Sequence, residues 1–203
     1  MAARLASVGY EVTIGSRAKE RALETCDGLL TKWPDRGLKL FAGSNAVAAS
    51  ADVVFVATPW DAAATTVLSL ADALSGKVVI SMANALIKVG GELQALSLAR
   101  GSVAAGIQIA APDAYVASAF HHIPAAELGN LAQRVECDVL ICSDHPVASS
   151  TASELANKIP GLRALDAGRL ANSLAVESFV ALLINLNIRY KTRAGLRITG
   201  VEL

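Results

Sequence analysis

Aromatic residues are scarce in this chain, 4% against 53% hydrophobic residues in all, and neither sign of charge prevails. Alanine, valine and leucine make up much of the apolar content. That composition suits closely packed helices on a mostly parallel sheet whose strands are apolar on both faces. Eighteen basic and eighteen acidic residues cancel, so no general attraction to nucleic acid or an anionic membrane is expected, and any anion site must be local. The three cysteines, Cys26, Cys137 and Cys142, form no close ligand pair and leave one over. They read as buried thiols of a reducing compartment, with neither a metal site nor a disulfide. The opening "MAARLASVGY" lacks the long apolar core of a signal peptide. The most apolar late stretch, "LANSLAVESFVALLINLNI", carries Asn172, Glu177, Asn185 and Asn187, and reads as a buried or interface helix rather than a membrane span. The expectation is a cytoplasmic protein.

A length of 203 residues suits one substantial domain, or a large domain with a small appendage. Short apolar runs alternate with alanine-rich helical stretches. "EVTIG", "LKLFAG", "DVVFVATP", "KVVISMAN", "YVASAF", "DVLICSD" and "GLRALD" read as strands. "AKERALETCDGLLTKW", "WDAAATTVLSLADAL" and "HPVASSTASELANKI" read as helices, and Ser44 or Asn45 offers a cap for a short one between. This alternation defines an α/β, Rossmann-like doubly wound, mostly parallel sheet. The final "GLRITGVEL" is expected to add a short edge strand or to cover the core, within a small C-terminal extension. Division is expected near residue 120, with 1–120 as a dinucleotide-binding half and 121–203 as the part completing the second site and an interface.

One further absence bears on the start of the chain. "MAARLASVGY" has the spacing of a helix with Leu5 and Val8 inward and Gly9 ending it. In a dinucleotide-binding unit this would be the first helix, already past the first strand and its Gly-x-Gly-x-x-Gly turn, and that motif occurs nowhere in the sequence. A central strand is hard to lose, so the reading expects about ten to twenty residues to be absent from the start.

"YEVTIGSRAKERA" then falls where an adenosine ribose lies, at the carboxyl end of the second strand. An acidic side chain there would hold the hydroxyls of NAD. Ser16, Arg17 and the basic residues beyond would instead bind the 2'-phosphate of NADP. The plainer alternative is that Ser16 caps the next helix and Arg17 to Arg21 is its solvated face. "ATPWDAA" and "SMANAL" end the next two strands, where Pro59 would line the cofactor and Trp60 would serve as lid or rim. In "AFHHIPAAELGN" two adjacent histidines invite a metal. Neighbours on an extended segment point apart, however, and no carboxylate is near, so a wall or hydrogen-bonding role for His121, or a structural one, is preferred.

"VGYEVTIGSRAKERA", "VVFVATPWDAA", "SAFHHIPAAEL", "DVLICSD" and "GLRALDAGRLANSLAVES" together resemble the NADPH-dependent coenzyme F420 reductases, in order and through nearly the whole chain. "FHHIPA" and "LDAGRLANS" are the most specific of these segments. The resemblance implies reversible hydride transfer between the nicotinamide of NADPH and the deazaflavin of coenzyme F420, with no catalytic side chain required. It implies that Ser16, Arg17 and Arg21 bind the 2'-phosphate, and that Thr58, Pro59 and Trp60 line ribose and nicotinamide. The deazaflavin would be walled by Met82, Ala83, Asn84, His121, Ile123 and Pro124. The helix "LAVESFVALLINLNI" is apolar around much of its circumference and is expected to form part of a homodimer interface, with Leu183 on the contact. Two rival readings are an NADP-dependent reductase of a small imine or keto substrate and a non-catalytic NADP-binding protein.

Overall fold

The computed structural model describes residues 1–201. Its first unit is a parallel pair, β1 (Val12–Ser16) and β2 (Leu40–Ser44), with Val12 opposite Leu40 and Ser16 opposite Ser44. Helix α1 (Ala2–Ser7) precedes it and buries Ala3, Leu5 and Ala6, while Val8 is only half-buried. Gly9, at φ 99°, turns the chain into β1. Helix α2 (Lys19–Lys32) buries only Ala22 and Cys26, four residues apart on one stripe. It stops at Trp33, and Pro34 opens a single 3-10 turn over Pro34–Arg36. Helix α3 (Asn45–Ala48) is capped by Ser44, whose Oγ accepts the Val47 N–H at 3.3 Å. Its close approach to β1 requires glycine, because a Cβ on Gly15 would meet the Ala48 Cβ at 2.7 Å.

The second sheet begins with β3 (Val53–Val56) and β4 (Val78–Ser81), which are parallel. A polar hairpin follows, β5 (Leu86–Val89) and β6 (Glu92–Ala95), turned by Gly90 and Gly91 at positive φ. Next come β7 (Tyr115–Ser118), β8 (Cys137–Ser143) and β9 (Leu162–Asp166), completing the order β3-β4-β7-β8-β9. The sheet is parallel from β3 to β7. There β8 runs antiparallel to β7, and β9 is parallel to β8. Among the described residues β1 and β3 each pair on one side only.

Helices cover both faces of this sheet. The helix expected over "WDAAATTVLSLADAL" is two, α4 (Trp60–Leu68) and α5 (Ala71–Leu74), broken at Ser69 and Leu70. The others are α6 (Val103–Ala110), α7 (Ala125–Leu128), α8 (Pro146–Lys158) and α9 (Ser173–Tyr190), the last entered through a 3-10 turn over Leu170–Asn172. Alternation along β4 divides the core. Ile80 faces Val139, Ile141, Ala152 and Leu155 under α8, whereas Val79 faces Ala63, Val67, Val116 and Ile107 under α4 and α6. Both faces being buried explains why these strands read as unbroken apolar runs.

The closing segment forms no strand among the described residues. It lies over the core, where Leu196 packs and its carbonyl accepts the Asp138 N–H at 2.8 Å. The span Leu170–Tyr190 is long and apolar enough to cross a membrane, at mean hydropathy 1.4. Its inner side is nevertheless held by polar bonds to this fold. Asn185 donates to the Leu93 carbonyl and accepts the Leu93 N–H, at 2.8 and 2.9 Å. The expectation that Leu183 sits on an outer contact is corrected: Leu183 is buried, and Leu182 beside it is exposed.

Candidate functional site

Parallel register lines up three strand ends. Val56 pairs with Ser81, and Ser81 with Ser118, so the segments leaving β3, β4 and β7 start side by side. These segments carry Thr58, Pro59 and Trp60, then Met82, Ala83 and Asn84, then His121, Ile123 and Pro124. Backbone bonds continue the alignment past the strands, from Met82 N–H to the Val56 carbonyl at 3.0 Å and from Ala119 N–H to the Ser81 carbonyl at 3.2 Å. Asn84 Nδ2 donates to the His121 carbonyl at 2.9 Å and ties two of the segments directly. Nine of the residues picked from sequence are thus brought to one edge, where ligands of open α/β sheets bind.

Along this edge lies a row of buried polar atoms without partners: Thr58 Oγ1, Ser81 Oγ, Asn84 Oδ1, both ring nitrogens of His121, and His122 Nδ1. An unsatisfied buried polar group costs about 1–3 kcal/mol, and such groups are rare in native structures. Several of them fall together on three adjacent strand ends. Ser81 was missed in the choice of site residues; its signal is a serine closing the apolar run "VVIS".

His121 is fully enclosed, and burial, followed by the neighbouring His122, pushes its pKa down to about 3. It is therefore neutral at any physiological pH, with one nitrogen to donate and one to accept. The backbone just before it is strained. Phe120 has φ 63°, a left-handed conformation rare for a bulky residue. Its ring is buried and tilts against Phe55 with centroids 5.9 Å apart, which holds the turn in place. His121 and His122 lie in a turn rather than an extended segment, which overturns the expectation that they point apart. Their rings meet edge to face at 5.3 Å and 85°.

Ser16, Arg17 and Arg21 lie apart from this group, at the end of β1, in the bend after it and in the first turn of α2. Ser16 Oγ accepts the Ala18 N–H at 3.2 Å, and Ala18, not Ser16, is the cap residue of α2. Arg17, Lys19 and Arg21 are exposed, and among the described residues none of them makes an ion pair. Three free cations beside a hydroxyl suit a dianionic group. Beside Trp60, the first residue of α4, a mainly apolar cleft of about 300 Å³ is lined by Ala64, Leu98, Arg100, Ser102 and Val103.

The fold and this edge define an α/β protein of the Rossmann-like, dinucleotide-binding class. The family described as NADP oxidoreductase, coenzyme F420-dependent, matches residues 1–85. The chain is 39% identical over 99% of its length to the F420-dependent NADP reductase of Methanothermobacter marburgensis, covering 92% of that protein. It is 34% identical over 100% of its length to the enzyme of the same name from Methanocaldococcus jannaschii, covering 93% of it. The chain belongs to the F420-dependent NADP reductase family. A crystal structure from Arthrobacter sp. FB24, assigned as an F420-dependent NADP reductase, superposes with TM-score 0.81 over 98% of this chain and 93% of that one. At 21% identity that likeness speaks for the fold.

Proposed function

We propose that the edge formed by β3, β4 and β7 holds two rings face to face, the nicotinamide of NADPH and the deazaflavin of coenzyme F420. The protein is an oxidoreductase that moves a hydride reversibly between them. Reduction of F420 takes a hydride from NADPH and a proton from solvent and releases NADP+. No side chain forms a bond to either ring. The work of the protein is to bind, to orient and to exclude water.

The observation that carries this reading is the row of buried unpartnered atoms from Thr58 to His121. Carbonyl and amide edges of the two rings would satisfy it. Thr58, Pro59 and Trp60 line the ribose and nicotinamide. Met82, Ala83, Asn84, His121, Ile123 and Pro124 wall the deazaflavin, and Ser81 joins them. Ser16, Arg17 and Arg21 hold the 2'-phosphate. The neutral state of His121 fits a wall residue, since a fixed charge beside the ring would bias hydride transfer in one direction.

Residues 1–120 bind NADP, and residues 121–203, beginning where the sheet reverses direction, complete the deazaflavin wall and an interface. That interface joins two copies through the outer side of α9, where Leu174, Leu182, Ile188 and Tyr190 are exposed. The buried free thiols fit a cytoplasmic setting.

Mixing the protein with NADPH and oxidised F420, and following loss of the deazaflavin's visible absorbance, tests the assignment. Turnover that is lost in His121→Ala and weakened for NADPH alone in Arg17→Ala is the expected result. A folded protein that binds NADPH but leaves F420 oxidised would return the choice to a small imine or keto substrate.

A further inference from the structure

Strand β8 pairs with β9 along most of its length but meets β7 only at Cys142 and Ser143. Nearer its start, the backbone groups of Asp138 and Leu140 that face away from β9 have no strand beside them. The closing segment serves one, as the Leu196 carbonyl accepts the Asp138 N–H. The His122 ring serves the Asp138 carbonyl, and the Leu140 N–H is left beside a nitrogen that cannot accept it while that nitrogen donates. The ring Nε2 lies 2.7 Å from the Asp138 carbonyl and 3.4 Å from the Leu140 nitrogen. A carbonyl can only accept, so Nε2 carries the hydrogen and His122 is the Nε2–H tautomer. Its Nδ1 is left as a bare, buried lone pair.

An imidazole thus stands in for a missing strand neighbour, and the same ring rests edge to face against His121. Both ring nitrogens of His121 lack a well-formed hydrogen bond among the described residues, the Ala119 backbone being near enough only to oppose the fall of its pKa. Asn84 grips its carbonyl and the Phe120 turn sets its backbone, and neither acts on the imidazole. The His122 ring is its edge-to-face aromatic neighbour.

We propose that His122 is a positioning residue. Anchored to the free edge of β8 through Nε2–H, its imidazole fixes the rotamer that His121 presents to the deazaflavin. This rests on reading His121 as part of the deazaflavin wall. Two substitutions separate the two contacts of the ring. In His122→Gln the amide can still donate to the Asp138 carbonyl, but no ring supports His121. In His122→Phe the ring remains and the donor is lost.

The experiment measures F420 binding without NADPH, by the deazaflavin's fluorescence, together with the NADPH KM, the melting temperature and the ¹⁵N resonances of the His121 ring. Expected for His122→Gln are a near wild-type melting temperature and an F420 Kd raised about threefold to tenfold. The NADPH KM stays within about twofold, by the same separation of the two ligands' contacts, and the His121 ring resonances shift and broaden as its rotamer is released. Expected for His122→Phe is a lower melting temperature with F420 Kd close to wild type. The proposal is overturned if His122→Gln leaves F420 affinity and the His121 resonances unchanged. It is equally overturned if affinities for F420 and NADPH fall together with the melting temperature, which is the pattern of a purely structural plug. His121→Ala distinguishes the levels: weakened F420 binding there with a silent His122→Gln removes only the present proposal, whereas wild-type binding in His121→Ala removes the wall reading and this one with it.

Discussion

The carboxylate of Glu177, buried on α9, accepts the backbone N–H groups of Val103 and Ala104 at 2.9 and 3.2 Å. These are the first two residues of α6, whose opening donors have no partners within the helix. Ser102 Oγ takes a third, the N–H of Ala105, at 3.0 Å. The C-terminal helix is therefore fastened to the start of a core helix, beside the cleft that Trp60 lines.

Burial pushes the Glu177 carboxyl above its ordinary 4.5, against the pull of its two N–H donors. A carboxyl harder to ionise in the folded state gives stability that is complete below the ordinary value and is lost as pH rises toward the native one. Wild-type melting temperature should thus decline as pH climbs above about 4.5, in the part of the slope owed to this group. Glu177→Gln, uncharged throughout, should flatten that slope, while Glu177→Ala should cost about 1–2 kcal/mol through loss of the cap. Melting curves between pH 5 and pH 8 decide it; equal slopes in wild type and Glu177→Gln would show that Glu177 titrates alike in both states.

At the corner after β1, Arg17 and Arg21 are exposed and make no ion pair among the described residues, and the proposed function gives them the 2'-phosphate of NADPH. Removing one charge-assisted contact to a phosphate should cost about 1.5–3 kcal/mol. Arg17→Ala should raise the KM for NADPH about tenfold to a hundredfold, leave that for NADH nearly unchanged, and weaken the salt dependence of NADPH binding. Steady-state kinetics with both nucleotides at two ionic strengths check it. A parallel loss for NADH would place Arg17 away from the 2'-phosphate.

Adjacent leucines on α9 have opposite environments: Leu182 is 52% exposed and Leu183 is 6% exposed. If two copies join through the outer stripe of α9 as proposed, Leu182→Glu should yield folded monomers, because its charge falls on that stripe. Leu183→Glu should unfold the chain, because it buries an unpaired carboxylate among α9's inner contacts. Light scattering with circular dichroism separates the two. A Leu182→Glu protein that keeps its dimer would move the interface off this helix.

The main strands were readable because both faces of the sheet are covered, so "DVVFVATP" and "KVVISMAN" appear as continuous apolar runs. The basic corner was visible in sequence as Ser16, Arg17 and Arg21, which fall at the end of β1 and the start of α2. The hairpin of β5 and β6 escaped, since "LIKVGGELQA" is largely exposed and lacks clean alternation; its Gly90-Gly91 pair was the available signal. The reversal of β8 could not be read from periodicity, which is the same for either strand direction. Contact between His121 and His122 depends on the turn at these two residues, which hydrophobic periodicity does not announce. The break of the α4 stretch at Ser69 and Leu70 likewise carries no glycine or proline to announce it.

Asp138 supplies the last test. Its carboxylate is fully buried and receives Arg163 Nε and Nη2 at 2.8 and 2.7 Å, Arg197 Nη1 at 3.0 Å and the Ile198 N–H at 2.6 Å. Arg163 also donates to the carbonyls of Ile198 and Val201. One carboxylate thus pins the closing segment against the strand whose backbone anchors His122. The Arg163 hydrogen bonds, more than any other cause, hold the carboxyl well below the usual range, while burial opposes them. A depressed native value gives stability that is present above the ordinary 3.8 and is lost as pH falls below it. Asp138→Asn leaves two guanidinium groups without their counter-charge and should cost about 3–5 kcal/mol at pH 7. Because the wild type alone loses this contribution in acid, the gap in urea midpoint between the two proteins should narrow as pH is lowered from 5 toward 3. A gap that stays constant would mean that neutral hydrogen bonds, rather than the ionised carboxylate, hold the closing segment in place.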